Sequence, residues 1–213
     1  RRVFLRRRTG QYGQAATAAD RLAEIADRHA ARVRSASDRR ADALLQVGVS
    51  YLHAGRPKEG RWRLTEAARS AVGAHLRVAA IGLLALNDSL LGNVRDAAAL
   101  LDTLAGDEEQ AWFDSPWGTA ATLASASVLV EEGRSVEAAA LLDRVESRFP
   151  TSELWPVLGA LRATHHLLGA DAGAGLSALQ DLDDVNATTP AARPFDGHLI
   201  AARSDLLVAL RQS

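Results

Sequence analysis

The chain has 213 residues, a formal net charge of −1, an apolar fraction of 47% and only 5% aromatics, with no cysteine. This balance provides no basic field to attract nucleic acid, and the missing thiols exclude disulfides and thiolate metal sites. The apolar mass is mainly alanine and leucine, strong helix formers, while runs rich in β-branched residues are lacking, so the expected class is all-α.

In chain order, Arg1 to Arg8 (RRVFLRRR) set Val3, Phe4 and Leu5 among five arginines. The run reads either as a nucleic-acid contact or as a solvated helix face, or a junction with a neighbouring domain. Gly10-Gln11-Tyr12 marks a turn, and a long helix from about Gln14 to Arg34 follows, ending in the polar run Ser35-Ala36-Ser37-Asp38.

The stretch Leu44 to Ala67 is the most informative. Leu44, Val47, Tyr51 and Ala54 recur at helical steps on one face, and Gly48 interrupts that face with a residue that lets another helix approach. Gly55 suits a left-handed helix terminus, Pro57 a first helical turn, and Gly60, Leu64, Ala67, Ala68 and Ala71 form a second stripe. Two short antiparallel helices are expected, crossing closely where Gly48 meets Gly60.

Three segments repeat the pattern. Val78, Ile81, Leu84, Ala85 and Leu91 lead to Gly92, then Ala97, Leu100, Leu101 and Leu104, with Asp88 at the place of Tyr51. An acidic linker, Gly106 to Ser115, comes next, and Ser115-Pro116 reads as a helix cap followed by a first-turn proline. Thr122, Ala126, Leu129, Gly133, Ala138, Leu142 and Val145 form the third copy, running to Pro150. Leu158, Leu161, His165, Gly169, Ala174 and Ala178 form the fourth, with Arg162 at the small-residue position and Gly173 and Gly175 weakening its second helix. A loop with Pro190 and Pro194 precedes a last helix over 196–212. The turn glycines Gly10, Gly55, Gly92, Gly133 and Gly169 are 45, 37, 41 and 36 residues apart.

This alternation of large apolar, small, aromatic and turn-glycine positions resembles the tetratricopeptide repeat. The resemblance implies a right-handed superhelix of antiparallel hairpins, an α-solenoid of about eleven helices in one repeat domain over 1–213. It comprises a half repeat at 1–34, repeats near 38–72, 76–105, 116–150 and 151–184, and a final helix left without a hairpin mate. In such folds the first helix of each hairpin lines a concave groove. Carried across, the register assigns to it Asp42, Leu45, Val49, Leu52 and His53, then Gly82, Leu86 and Ser89, then Leu123, Ser127 and Glu131, then His166. That face suits a small-molecule pocket or a docking groove for an apolar helix. It lacks the Lys and Asn pairs that clamp a C-terminal carboxylate in chaperone-binding members.

Trp112, Phe113 and Trp117 gather three aromatics beside the acidic linker, either as a recognition patch or as a plug between the second and third hairpins. The histidines lack chelating spacing, and phosphate-loop, nucleophile-elbow and zinc-protease motifs are all missing, so neither enzymatic activity nor a cofactor or metal is expected. No stretch approaches a membrane span.

All but one of the 25 Lys and Arg residues are arginine, Lys58 being the exception, which indicates a GC-rich bacterial coding bias. An uneven Ala/Leu/Arg-rich hairpin array of this style resembles the helical-repeat sensor region of large ATP-dependent LuxR-type (MalT-like) transcriptional regulators. The resemblance implies a cytoplasmic module that senses an inducer or a protein partner, with an NTPase domain before it and a DNA-binding domain after it. The alternative is a general interaction scaffold unrelated to transcription.

Overall fold

Helix-forming residues punctuated by glycine and proline fold into twelve α-helices and one 3-10 turn among the described residues, with no strand. The computed structural model describes residues 2–30, 37–148, 153–169, 171–188 and 196–212. The helices are α1 (Arg2–Arg8), α2 (Tyr12–Ala30), α3 (Ser37–His53), α4 (Pro57–Ser70), α5 (Ala74–Leu90), α6 (Val94–Asp102), α7 (Asp107–Phe113), α8 (Thr119–Glu131), α9 (Ser135–Arg148), α10 (Trp155–Leu168), α11 (Ala172–Thr188) and α12 (Asp196–Gln212). The 3-10 turn is Pro116–Gly118. The expected turn residues Ser35, Ala36, Pro150, Pro190 and Pro194 lie outside the described residues. No helix among the described residues is long and apolar enough to cross a membrane.

Consecutive helices pair as the stripes require: α3 on α4, α5 on α6, α8 on α9 and α10 on α11. Leu44, Val47, Tyr51, Leu64 and Ala67 are buried together, and a Cβ added to Gly60 would lie 3.1 Å from the Gly48 carbonyl oxygen. The close crossing therefore needs both glycines. Four turns close alike. Gly10, Gly55, Gly92 and Gly133 all have positive φ, and the next N–H (Gln11, Arg56, Asn93 or Arg134) donates to the carbonyl five residues back.

The fourth hairpin differs. There the equivalent bond runs from Asp171 to His166, so Gly169 sits one position early and caps α10 with an ordinary φ of −79°. The small-residue slot filled by Arg162 is also resolved differently, since its guanidinium turns to Asp143 at 2.7 Å and to Glu146, both on α9. A separate small core of Ala163, Leu179, Ala202 and Leu206 joins α10, α11 and α12. The last helix, though outside the hairpin register, thus packs on two neighbours. Gly175 lets it approach, as a Cβ there would meet Leu206 Cδ2 at 2.5 Å.

The expected linker at 106–115 is largely helix α7. Glu108 and Glu109 stand in its first turn, where carboxylates favour the helix dipole, and Arg77 holds Glu109 at 2.8 Å. Ser115 caps as expected, accepting the Trp117 N–H, but it opens the 3-10 turn before α8.

Adjacent hairpins are locked by polar pairs at the Tyr51 position. Tyr51 donates to Asp20 of α2 at 2.7 Å. Asp88, in the same slot of α5, is fully buried and receives the Arg61 guanidinium at 2.8 and 3.1 Å. Replacing tyrosine by aspartate exchanges a donor for an acceptor, and the facing residue changes to match.

Candidate functional site

A cavity of about 560 Å³ opens between α1, α3, α5, the start of α8 and the segment before α10. From α3, Asp42, Leu45, Gln46, Val49 and His53 line it, spaced by three and four residues along one stripe. Ala79 and Leu83 contribute from α5, Val3, Phe4 and Arg7 from α1, and Leu22 from α2. Trp117, Thr119 and Ala120 close one side, Glu153 and Leu154 another. The walls are predominantly apolar, with a few polar groups.

Arg7 organises the polar end. It is only 3% exposed, although the run RRVFLRRR suggested a solvated face. Val3 and Arg7 lie one turn apart and turn inward together. The guanidinium donates to Gln46 Oε1 at 3.0 Å, to Ser50 Oγ at 3.2 Å and to Glu153 Oε2 at 3.3 Å. The Glu153 contact joins residues 146 positions apart, tying α1 to the segment before α10 at the cavity wall. A charge this buried needs such a set of acceptors.

His53 is buried at the end of the α3 stripe, its ring 5.8 Å from that of Tyr12. Desolvation, reinforced by the nearby Arg7 charge, pushes its pKa down to about 3. At neutral pH it is an uncharged wall residue.

Of the groove positions inferred from the sequence, the cavity therefore unites Asp42, Leu45, Val49 and His53. Leu52 does not join them: it lies one turn after Gly48 and reaches 2.9 Å from where a Gly60 Cβ would stand, inside the α3/α4 crossing. Gly82, Leu86, Ser89, Leu123 and Ser127 are buried. Here α8 lies directly on α5, so these positions are filled by the chain's own side chains. A Cβ on Gly82 would fall 2.6 Å from the Ala121 backbone nitrogen. Glu131 borders a different cavity between α8 and α10, and His166 a third, polar one with Asp143, Arg162 and Asp181.

The aromatic group divides. Phe113 packs on the cluster of Val78, Ile81, Leu104 and Ala121, as a plug would. Trp112 and Trp117 remain 37% exposed, with the His75 ring 5.3 and 5.2 Å from theirs. Trp117 also borders the main cavity.

The sequence reading missed Arg7, Gln46, Leu83 and Glu153. Gln46 and Leu83 share helical faces with expected positions, but nothing local connects Arg7 to Glu153. Among the described residues no cluster of three His, Asp or Glu side chains could hold a metal ion.

No family, curated protein or solved structure matches the chain.

Proposed function

We propose that this chain is a tetratricopeptide-like helical-repeat module, a right-handed superhelix of hairpins, that binds a small organic ligand in the cavity between α1, α3 and α5. The observation that carries this reading is the cavity itself. It has about 560 Å³ of space, apolar walls and a few convergent polar groups, the usual constitution of a small-molecule site. Residues far apart in sequence meet across it, so a ligand touching both Arg7 and Glu153 would tighten the packing of α1 against the rest. That is a way for occupancy to become a mechanical signal.

Such a module fits the inducer-sensing region of a bacterial LuxR-type, MalT-like regulator acting in the cytoplasm, which would carry NTPase and DNA-binding domains elsewhere in its chain. Calorimetry against a metabolite library tests the binding step, using Val49→Trp to fill the cavity. Ligands that bind the wild type and lose affinity in Val49→Trp support the reading; hits indifferent to that change contradict it.

The half-exposed Trp112, His75 and Trp117 rings favour a second reading, a scaffold that docks a protein partner through this aromatic surface. Capture of a defined partner that is lost in Trp112→Ala and retained in Val49→Trp would favour the scaffold.

A further inference from the structure

The charge balance at the polar end of the cavity selects among ligands. Arg7 directs its donors inward, to Gln46, Ser50 and one oxygen of Glu153. The other oxygen, Glu153 Oε1, is buried and has no hydrogen-bond partner among the described residues. Asp42 borders the same cavity and, among the described residues, receives only a long 3.5 Å contact from Gln46 Nε2. One guanidinium thus faces two carboxylates, while His53 carries no charge at neutral pH. The donors are committed and the acceptors have capacity to spare. Trp117 and Phe4 border the same space, and aromatic rings attract cations.

We propose that the cavity takes an amphipathic organic cation, with an ammonium or amidinium head near Glu153 and Asp42 and an apolar body along Val49, Leu83 and Trp117. A carboxylate ligand would have to take Arg7 from Glu153 and then stand beside two like charges, which is costly in a half-enclosed site. A neutral alcohol would leave the surplus negative charge unmet. The inference rests on the cavity being a ligand site.

Three probes with one apolar body separate the possibilities: 4-phenylbutylamine, 4-phenylbutanoate and 4-phenylbutanol, titrated into the full chain by calorimetry and by amide chemical shifts. The amine should bind about tenfold more tightly than either of the others. Glu153→Gln should weaken it about tenfold. Asp42→Asn, at an exposed residue outside the Arg7 contacts, should weaken it about threefold. Circular dichroism checks that Glu153→Gln still folds, and Asp42→Asn carries the test if it does not.

Equal or tighter binding of the acid or the alcohol, with shifts at Leu45 and Val49, overturns the cation preference and leaves the cavity reading standing. If no probe shifts the cavity while library hits still lose affinity in Val49→Trp, the cation inference alone fails. If library hits also ignore Val49→Trp, both fail.

Discussion

Gly82→Ala probes the contact that decides which of the expected groove positions are open. Gly82 lies mid-helix in α5, and an alanine Cβ there would stand 2.6 Å from the Ala121 nitrogen and 2.9 Å from its Cα. These are backbone atoms of α8, so no side-chain rotation relieves them, and the two helices must move apart. Forcing a methyl group into a packed interior costs about 1–3 kcal/mol. Alanine's better helix propensity returns up to about 1 kcal/mol. Taking the middle of the first range, about 2 kcal/mol, a net loss of about 1–2 kcal/mol remains, equivalent to a fall in Tm of about 2–8 °C for a chain of this size. Urea and thermal unfolding followed at 222 nm measure it. Gly13→Ala is the control, because a Cβ there meets nothing within 4 Å and stability should hold or rise slightly. A Gly82→Ala protein as stable as the wild type would refute the close α5/α8 packing, and with it the conclusion that Leu86, Leu123 and Ser127 are sealed from ligand.

Three further predictions use the same unfolding assay. Gly55→Ala, at a φ of +70°, should lose about 1–2 kcal/mol, whereas Gly169→Ala, at a φ of −79°, should be neutral; equal losses would contradict the shifted fourth turn. Arg61→Ala strips the buried Asp88 carboxylate of its partner and should cost about 1–3 kcal/mol, while the double change with Asp88→Leu should recover most of that. His53 has a folded pKa near 3, below its unfolded value of 6.5, so below pH 6.5 the unfolded chain binds a proton that the native chain refuses. Its contribution to stability is complete above pH 6.5 and falls by about 1.4 kcal/mol for each pH unit below it, until about pH 3. His53→Leu should flatten the pH dependence by that slope between pH 6 and 5, and parallel profiles would show that His53 is accessible to protons.

What was legible in the sequence was local. Gly48 and Gly60, five buried stripe residues and four turn glycines all follow from spacing, because helix period and turn chemistry act over a few residues. The Leu45, Val49 and His53 face could be read for the same reason. Helix α7 was missed because seven residues, mostly polar or aromatic, offer no period, and its order comes from Arg77 holding Glu109 and from Phe113 packing on α5 residues. Leu52 was misassigned because the stripe is wider than the groove register allows, and one turn beyond Gly48 still faces α4. Arg7 could not be read at all. A run of arginines looks solvated unless one knows that Gln46, Ser50 and Glu153 wait for one of them, and the last of these is 146 residues away.

The most direct measurement is a structure of the chain with a bound library hit. Ligand density between Leu45, Val49 and Leu83, within hydrogen-bonding reach of the Arg7–Glu153 pair, is the expected result. Density at the Trp112–His75–Trp117 surface, with this cavity empty, would contradict it.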